Sequence, residues 1–248
     1  MDEPDATLDR TLIGELSHKI GKNVRISGWV DVRRDQGKMV FFDIRDRSGF
    51  VQGVVLPGSP ALETAKEVRS EFVVTVDGIV NERPAKNIQS EKQNGDIELE
   101  IKGIQVIAAA ETLTFPKDED VNLDTRLDYR PLTLRSHRDR DIFAVQATIC
   151  NAYRNALASR GFTEFQAPAL VGGDAEGGAA VFKVGYFYDK PAYLATSPQL
   201  YKQIMVGTFE RVFTIARIFR AEKSATTRHL SELTQMDFEM GFVKDEHD

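Results

Sequence analysis

The sequence predicts an α+β chain in which a five-stranded β-barrel precedes a mixed unit built on an antiparallel sheet. Three observations lead there. Between residues 21 and 108, five strand-like runs are interrupted by one short helical run. Residues 211–243 hold two alternating runs around a polar loop, the pattern of a long hairpin. A helical apolar spacing near residues 138–159 stands between these regions. A length of 248 residues, 42% of them hydrophobic and 28% charged, suits one large or two ordinary folded domains.

Residues 1–10 are acidic and read as frayed, with no apolar stretch that would make a secretory signal. Val24, Ile26, Gly28, Val30 and Val32 alternate with polar partners and predict the first strand. Met39 to Arg45 is the second and Phe50 to Leu56 the third. Pro60 to Arg69 is rich in Ala, Leu, Glu and Lys and reads as a helix with Ser59 as N-cap. Phe72 to Val80 and Ile97 to Ile107 complete the set. Three strands, a helix and two strands match a Greek-key barrel of the OB type over residues 1–108, with a generic small barrel or sandwich as the alternative.

Residues 109–141 read as an ordered connector, with Pro116, Pro131 and the arginines 126, 130, 135, 138 and 140. The second unit then occupies 142–248. Ile142, Val145, Ile149, Tyr153 and Leu157 lie at helical spacing, and Gly161 is suited to the turn that ends that helix. Phe162 to Phe165 is a short strand stopping before Pro168. Ser197-Pro198 signals a helix running to about Val206, with Ser197 as its N-cap. In the hairpin, Thr234, Met236, Phe238, Met240 and Phe242 form an apolar back, and Leu233, Gln235, Asp237 and Glu239 a polar front.

Composition narrows the function. A net charge of −6 excludes a whole-protein field that draws in nucleic acid, but leaves room for a local basic site. One cysteine, Cys150, excludes an internal disulfide or thiolate metal cluster and is expected to be a buried structural thiol. His18, His137, His229 and His247 lack zinc-ligand spacing. The sequence has no apolar run of the ~18 residues that would span a membrane, and a reducing, cytoplasmic setting is expected.

Two constellations carry chemistry. In the second strand Val40, Phe42 and Ile44 form the inner face, so Phe41 points outward beside Met39, Asp43 and Arg45, with Arg33 and Arg34 near it. A displayed aromatic among cations suits base stacking, with Gln52 able to read a base edge. The plainer alternative is a phenylalanine covered by a loop or another domain. In the hairpin, Arg220 and Glu222 share a face, Arg228 and His229 occupy the loop, and Asp237 and Glu239 line the returning strand. Cations beside carboxylates suit a polyphosphate ligand that also carries an amine. A solvated charged hairpin is the alternative. The glycine-rich GGDAEGG fits neither common phosphate-loop spacing and reads as a mobile lid.

These segments are familiar together. FRAEKSATTRHLSELTQMDFEM, Phe219 to Met240, resembles motif 2 of the class II aminoacyl-tRNA synthetases, and FAVQATICNAYRNALASRGFTEFQAPAL, Phe143 to Leu170, resembles their motif 1 with Pro168 as its proline. EGGAAVFKVGYF and SPQLYKQ are similar to the aspartyl-tRNA synthetase versions of archaeal and eukaryotic type. GWVDVRRDQGKMVFFDIRDRSGFVQ looks like the anticodon-binding OB domain of the same subclass. The resemblance covers about residues 12–244.

It implies ATP-dependent activation of L-aspartate to aspartyl-adenylate, then transfer to tRNA(Asp), with tRNA(Asn) as a second candidate. Glu176, Gln199, Lys202, Arg220 and Asp237 would form the amino-acid pocket, with Lys202 selecting the side-chain carboxylate. Arg220 would be catalytic at the ATP α-phosphate. Glu222, Arg228, His229, Leu230 and Leu233 would complete the ATP site, with Leu233 where many relatives carry an aromatic. Phe41, Arg34, Gln52 and Glu98 would bind the anticodon. Motif 1, including Pro168, implies a homodimer. The third class II motif and the acidic Mg²⁺ ligands have no counterpart in the 248 residues. The chain is therefore expected to be incomplete and unable to make adenylate alone, with a separate chain carrying that motif as one expected partner. A tRNA-binding module with a non-catalytic remnant and an asparagine-specific relative are the alternatives.

Overall fold

A computed structural model of the chain describes residues 8–173, 180–223, 226, 228–245 and 247. Its contacts divide into two units, Met1–Pro116 and Lys117–Asp248.

The first unit is a closed barrel of β1 (Asn23–Gln36), β2 (Met39–Asp46), β3 (Gly49–Val55), β4 (Val73–Glu82) and β5 (Ile97–Ala108), with α1 (Leu62–Glu67) between β3 and β4. Around the barrel the order is β1-β2-β3-β5-β4, with β3 and β5 parallel and the other neighbours antiparallel. Closure pairs every strand on both sides and leaves no open sheet edge. The expected alternation supplies the core: Ile26, Val30, Phe42, Ile44, Val76, Leu99 and Ile101 are all buried. A 3-10 turn over Ile13–Lys19, absent from the sequence reading, adds Ile13 and Leu16 to that core. Asp46 anchors it, accepting from Ile13 N at 3.0 Å and from Ser48 N and Oγ at 2.7 and 2.5 Å. Burial alone would raise the Asp46 pKa, but these bonds and the nearby Arg10 charge hold it below the ordinary value.

Two sequence expectations change here. β1 is not a continuous alternation. Val30 faces Ile44 and Val32 faces Asp43, so Asp31 is an extra residue, a β-bulge. The bulge reverses the strand's phase: Val32 leaves the inner face, and Arg34 moves outward opposite Phe41. Asp31 is buried against Arg45 Nη1 at 2.7 Å, and Arg45 Nη2 reaches buried Glu71 at 2.8 Å. Ser59 is not the N-cap of α1, because a turn intervenes and Ala61 takes that place. The Ser59 hydroxyl accepts from Ala61 N and donates to Ile101 O.

The second unit opens with α2 (Leu123–Asp128) and α3 (Arg130–Thr133), then the long α4 (His137–Ala158). Ser136 caps α4, its Oγ accepting from Asp139 N at 3.2 Å while donating to the Asp139 carboxylate at 2.9 Å. Arg130 binds the same carboxylate at 2.8 Å. Past the helix, Gly161 adopts φ +80°, a left-handed conformation that glycine takes without strain. There follow β6 (Thr163–Glu164), β7 (Leu170–Val171), β8 (Lys183–Val184), β9 (Ala192–Leu194), α5 (Gln199–Phe209), β10 (Arg211–Phe219) and β11 (Glu232–Met240). They form two sheets, β11-β10-β6 and β7-β9-β8. The hairpin pairs in register from Arg211 opposite Met240 to Phe219 opposite Glu232. Pro198, not Ser197, is the N-cap of α5, although the Ser197 hydroxyl accepts from Gln199 N at 3.2 Å.

Burial departs from a simple amphipathic reading. On β11 the apolar Met236 and Phe238 are 42% and 51% exposed, while Gln235, Asp237 and Glu239 are half-buried. Helix α4 leaves Ile142 and Val145 51% and 57% exposed. Cys150 on the same helix is half-buried rather than fully buried, because this part of the helix is thinly covered.

Candidate functional site

Chain direction places the charged groups of the second unit. Arg220 follows the last residue of β10, and its N–H donates to Ser231 O at 3.0 Å, closing the hairpin mouth. Glu222 follows two residues later. On the return, Arg228 N donates to Thr226 Oγ1 at 3.2 Å, and His229 Nδ1 lies 2.6 Å from that oxygen. This turn brings Arg228 and His229 to the mouth. Arg220, Glu222, Arg228, His229, Leu230, Leu233 and Gln235 together line one cleft of about 410 Å³. Two guanidiniums, an imidazole and a carboxylate around one hollow can hold phosphate oxygens and a hydrogen-bond donor.

Beside it lies an ionic cluster assembled by α5 and β11. Lys202 is 4% exposed, with Nζ 2.6 Å from Asp237 Oδ1 and 3.0 Å from Glu239 Oε2. Gln199 Nε2 lies 3.4 Å from Glu239 Oε2, and Gln235 Nε2 donates to Asp237 Oδ2 at 2.9 Å. Burial alone would lower the Lys202 pKa, but its two carboxylate partners outweigh that and raise it, so the ammonium stays charged. Tyr153 is pushed up to about 12 by burial, with the Asp237 charge adding to it, so its hydroxyl stays neutral. Gln235 joins the two regions: it lines the cleft and binds Asp237, while its Oε1 is buried with no hydrogen-bond partner among the described residues. The sequence reading set Glu239 beside Asp237 among the hairpin carboxylates but gave Gln235 no role. Its period-two spacing with Asp237 and Glu239 on the polar front was the signal that could have assigned one.

Glu176 and the middle of the glycine-rich segment lie outside the described residues. Pro168 is exposed, between β6 and β7.

The barrel carries the second constellation. Phe41 is half-buried on the outer face of β2, directly opposite Arg34 on β1. Arg34 binds Asp43 through both terminal nitrogens at 2.7 Å and lies 3.4 Å from Gln52 Oε1 on β3. The hydrogen bond and charge of Asp43 raise the Arg34 pKa further, against the opposing effect of burial. Gln52 and Glu98 each precede the Gly53–Leu99 pair by one residue, so they stand side by side on the outer faces of β3 and β5. Arg34, Phe41, Gln52 and Glu98 thus form a row across four neighbouring strands. Arg33 leaves this row and donates to Lys66 O and Val68 O at 3.1 Å, at the end of α1.

Comparison with known proteins matches each unit. The family described as tRNA synthetases class II (D, K and N) matches residues 122–247, and the OB-fold nucleic acid binding domain matches residues 24–107. The chain is 43% identical over 249 residues to the aspartate–tRNA(Asp/Asn) ligase of Deinococcus radiodurans, covering 97% of this chain and 53% of that protein. It is 38% identical to the cytoplasmic aspartate–tRNA ligase of Bos taurus, covering 97% of this chain and 51% of that one. A putative aspartyl-tRNA synthetase from Leishmania major Friedlin superposes with a TM-score of 0.84 at 32% identity, over 100% of this chain and 51% of that one. The asparaginyl-tRNA synthetase of Pyrococcus horikoshii, complexed with asparaginyl-adenylate, gives 0.84 at 35% identity, over 96% and 54%. The chain spans about half the length of these relatives.

Proposed function

The chain belongs to the class II tRNA synthetases of the D, K and N group, and from that premise we propose that it carries the nucleotide, amino-acid and anticodon sites of an aspartate–tRNA ligase. The observation that carries this reading is Gln235, which lines the Arg220–Glu222–Arg228–His229 cleft while binding Asp237 of the Lys202 cluster. One continuous site can then hold ATP and an acidic amino acid side by side.

The chemistry follows from the charges. The α-carboxylate of aspartate attacks the ATP α-phosphorus in line, pyrophosphate leaves, and aspartyl-adenylate forms. Arg220 offsets the negative charge gathering on the α-phosphate and holds the attacking carboxylate, acting through position and electrostatics rather than covalent chemistry. Glu222 accepts a hydrogen bond from the adenine amino group beside Leu233. Arg228 and His229, with the Leu230 backbone, meet the phosphate tail. Asp237 and Gln199 hold the substrate ammonium, and Lys202 pairs with the side-chain carboxylate. The terminal ribose hydroxyl of tRNA(Asp), and in a wider specificity tRNA(Asn), then attacks the acyl carbon and releases AMP. ATP would bring Mg²⁺ with its phosphates, although among the described residues no three His, Cys, Asp or Glu side chains cluster to ligate it.

In the same reading the barrel row around Phe41 binds the anticodon, and the exposed apolar positions of α4, with Pro168 after β6, meet a second copy of the chain. The setting is cytoplasmic; among the described residues no helix is long and apolar enough to cross a membrane.

Calorimetric titration of the 248-residue chain with sulfamoyl analogues of aspartyl- and asparaginyl-adenylate tests the proposal. The aspartyl analogue should bind more tightly, and Arg220→Ala should weaken it by about 1.5–3 kcal/mol, the worth of a charge-assisted hydrogen bond. Preference for the asparaginyl analogue would make the chain an asparagine-specific relative. Binding of neither would leave an RNA-binding remnant.

A further inference from the structure

Asp43 stands in the middle of the barrel's outer row. Its two carboxylate oxygens take both terminal nitrogens of Arg34, each at 2.7 Å. Both side chains are partly exposed, and a solvent-facing pair of this kind adds little to stability. What the two parallel bonds do supply is orientation, because a bidentate fork fixes the plane of the guanidinium.

That plane has a consequence one strand further on. Arg34 Nη2 lies 3.4 Å from Gln52 Oε1. A guanidinium has donors and no acceptor, so the Gln52 amide must turn its oxygen towards Arg34 and its nitrogen away. Gln52 faces Asp43 across β2 and β3, and Phe41 faces Val54, so Phe41 and Gln52 are diagonal neighbours on one face. Long side chains reach each other, or a shared ligand, across that diagonal.

We infer that Asp43 is a positioning residue for RNA readout: through Arg34 it fixes the Gln52 amide so that a donor faces the base stacked on Phe41. This rests on the proposed stacking at Phe41 and specifies what the stacked base must offer. A donor at that edge donates to the carbonyl oxygen at position 4 of uracil or position 6 of guanine. It meets the amino group of cytosine or adenine donor to donor. The Asp31 bulge is part of the device, because without its phase reversal Arg34 would point into the barrel.

The test uses the 248-residue chain and four fluorescent RNA hairpins, identical except for uracil, guanine, cytosine or adenine at the middle of the loop. Affinities are measured by anisotropy at one fixed salt concentration, since phosphate contacts shift with salt. The wild-type chain should favour the carbonyl bases by about tenfold, the scale of one good edge contact. In Asp43→Ala that ratio should collapse towards one, and Asp43→Glu, which keeps the carboxylate, should recover part of it. Thermal melting confirms that both variants are folded. An Asp43→Ala chain that keeps the wild-type ratio, or that loses affinity equally for all four hairpins with the ratio intact, overturns the inference. Phe41→Ala separates the two levels. If it binds all four hairpins as the wild type does, the stacking reading fails and this one falls with it. If it loses them while Asp43→Ala keeps the ratio, only the role of Asp43 is lost.

Discussion

In the proposed site, Lys202 is the side chain asked to serve both packing and selection. It is buried on α5, yet it touches two carboxylates within 3.0 Å, so its charge is compensated before any ligand arrives. A buried, paired ammonium is a rigid point charge, suited to choosing a carboxylate over an amide. Lys202→Gln should therefore abolish the preference for the aspartyl over the asparaginyl adenylate analogue, a loss of about 1.5–3 kcal/mol in relative affinity. Equal discrimination by that variant in calorimetry would remove Lys202 from specificity. Much of this cluster was legible beforehand: Asp237 and Lys202 came from motif resemblance, and Gln235 and Glu239 were visible on the same polar strand face. What a sequence hides is the distance across from α5 to β11, which decides that Lys202 meets Asp237 and Glu239 together.

Among the elements, β1 carries the main surprise. Its residues alternate as a strand should, but the alternation breaks at Asp31, where an extra residue is accommodated by the buried Asp31–Arg45–Glu71 triad. Nothing local marks this bulge. Arg45 lies on the next strand and Glu71 at the turn before β4, so the stabilising partners are distant in the chain. Arg45→Met should cost about 3–5 kcal/mol in urea unfolding, because two buried carboxylates lose their shared cation. Replacing all three members with apolar residues should cost far less, since no stranded charge is left behind. If Arg45→Met unfolds at the wild-type midpoint, the triad is not what holds the bulge. The other barrel strands lie where they were read, because their two faces differ in polarity, although the β4–β5 ladder also shifts register between Asp77 and Gly78. The hairpin strands did so too, although the back of β11 proved the more exposed side.

For the molecule as a whole, charge is arranged locally rather than globally. The net charge is −6, yet Arg220, Arg228 and His229 meet at one cleft of the second unit, and Arg34 stands in the outer row of the barrel. Acid stability follows from the same habit. Asp139 is held below the ordinary carboxyl value by its hydrogen bond to Arg130, aided by Ser136 and opposed by burial. Asp46 is held down by hydrogen bonds that outweigh burial. A depressed native pKa means that the unfolded chain takes up the proton first. Stability from these groups is present above the ordinary value of about 4 and is lost as pH falls through the lower native values. Both units should therefore weaken below about pH 4. The single tryptophan, Trp29, lies in the barrel, so its fluorescence reports that unit alone while circular dichroism reports both. Asp46→Asn should flatten the acid limb seen by Trp29. An unchanged limb would place the sensitivity elsewhere. The sequence by itself determined the five barrel strands with α1, the helices α4 and α5 and the β10–β11 hairpin, because hydrophobic period and residue type are local properties; α2, α3 and the β7-β9-β8 sheet carried too short a pattern to be read. Only the tertiary structure decided that Asp31 bulges, that Arg34 turns outward while Arg33 does not, and that Gln235 links a cleft to an ionic cluster. Those outcomes depend on partners far apart in the chain, whose approach is set by barrel closure and by helix packing on the hairpin.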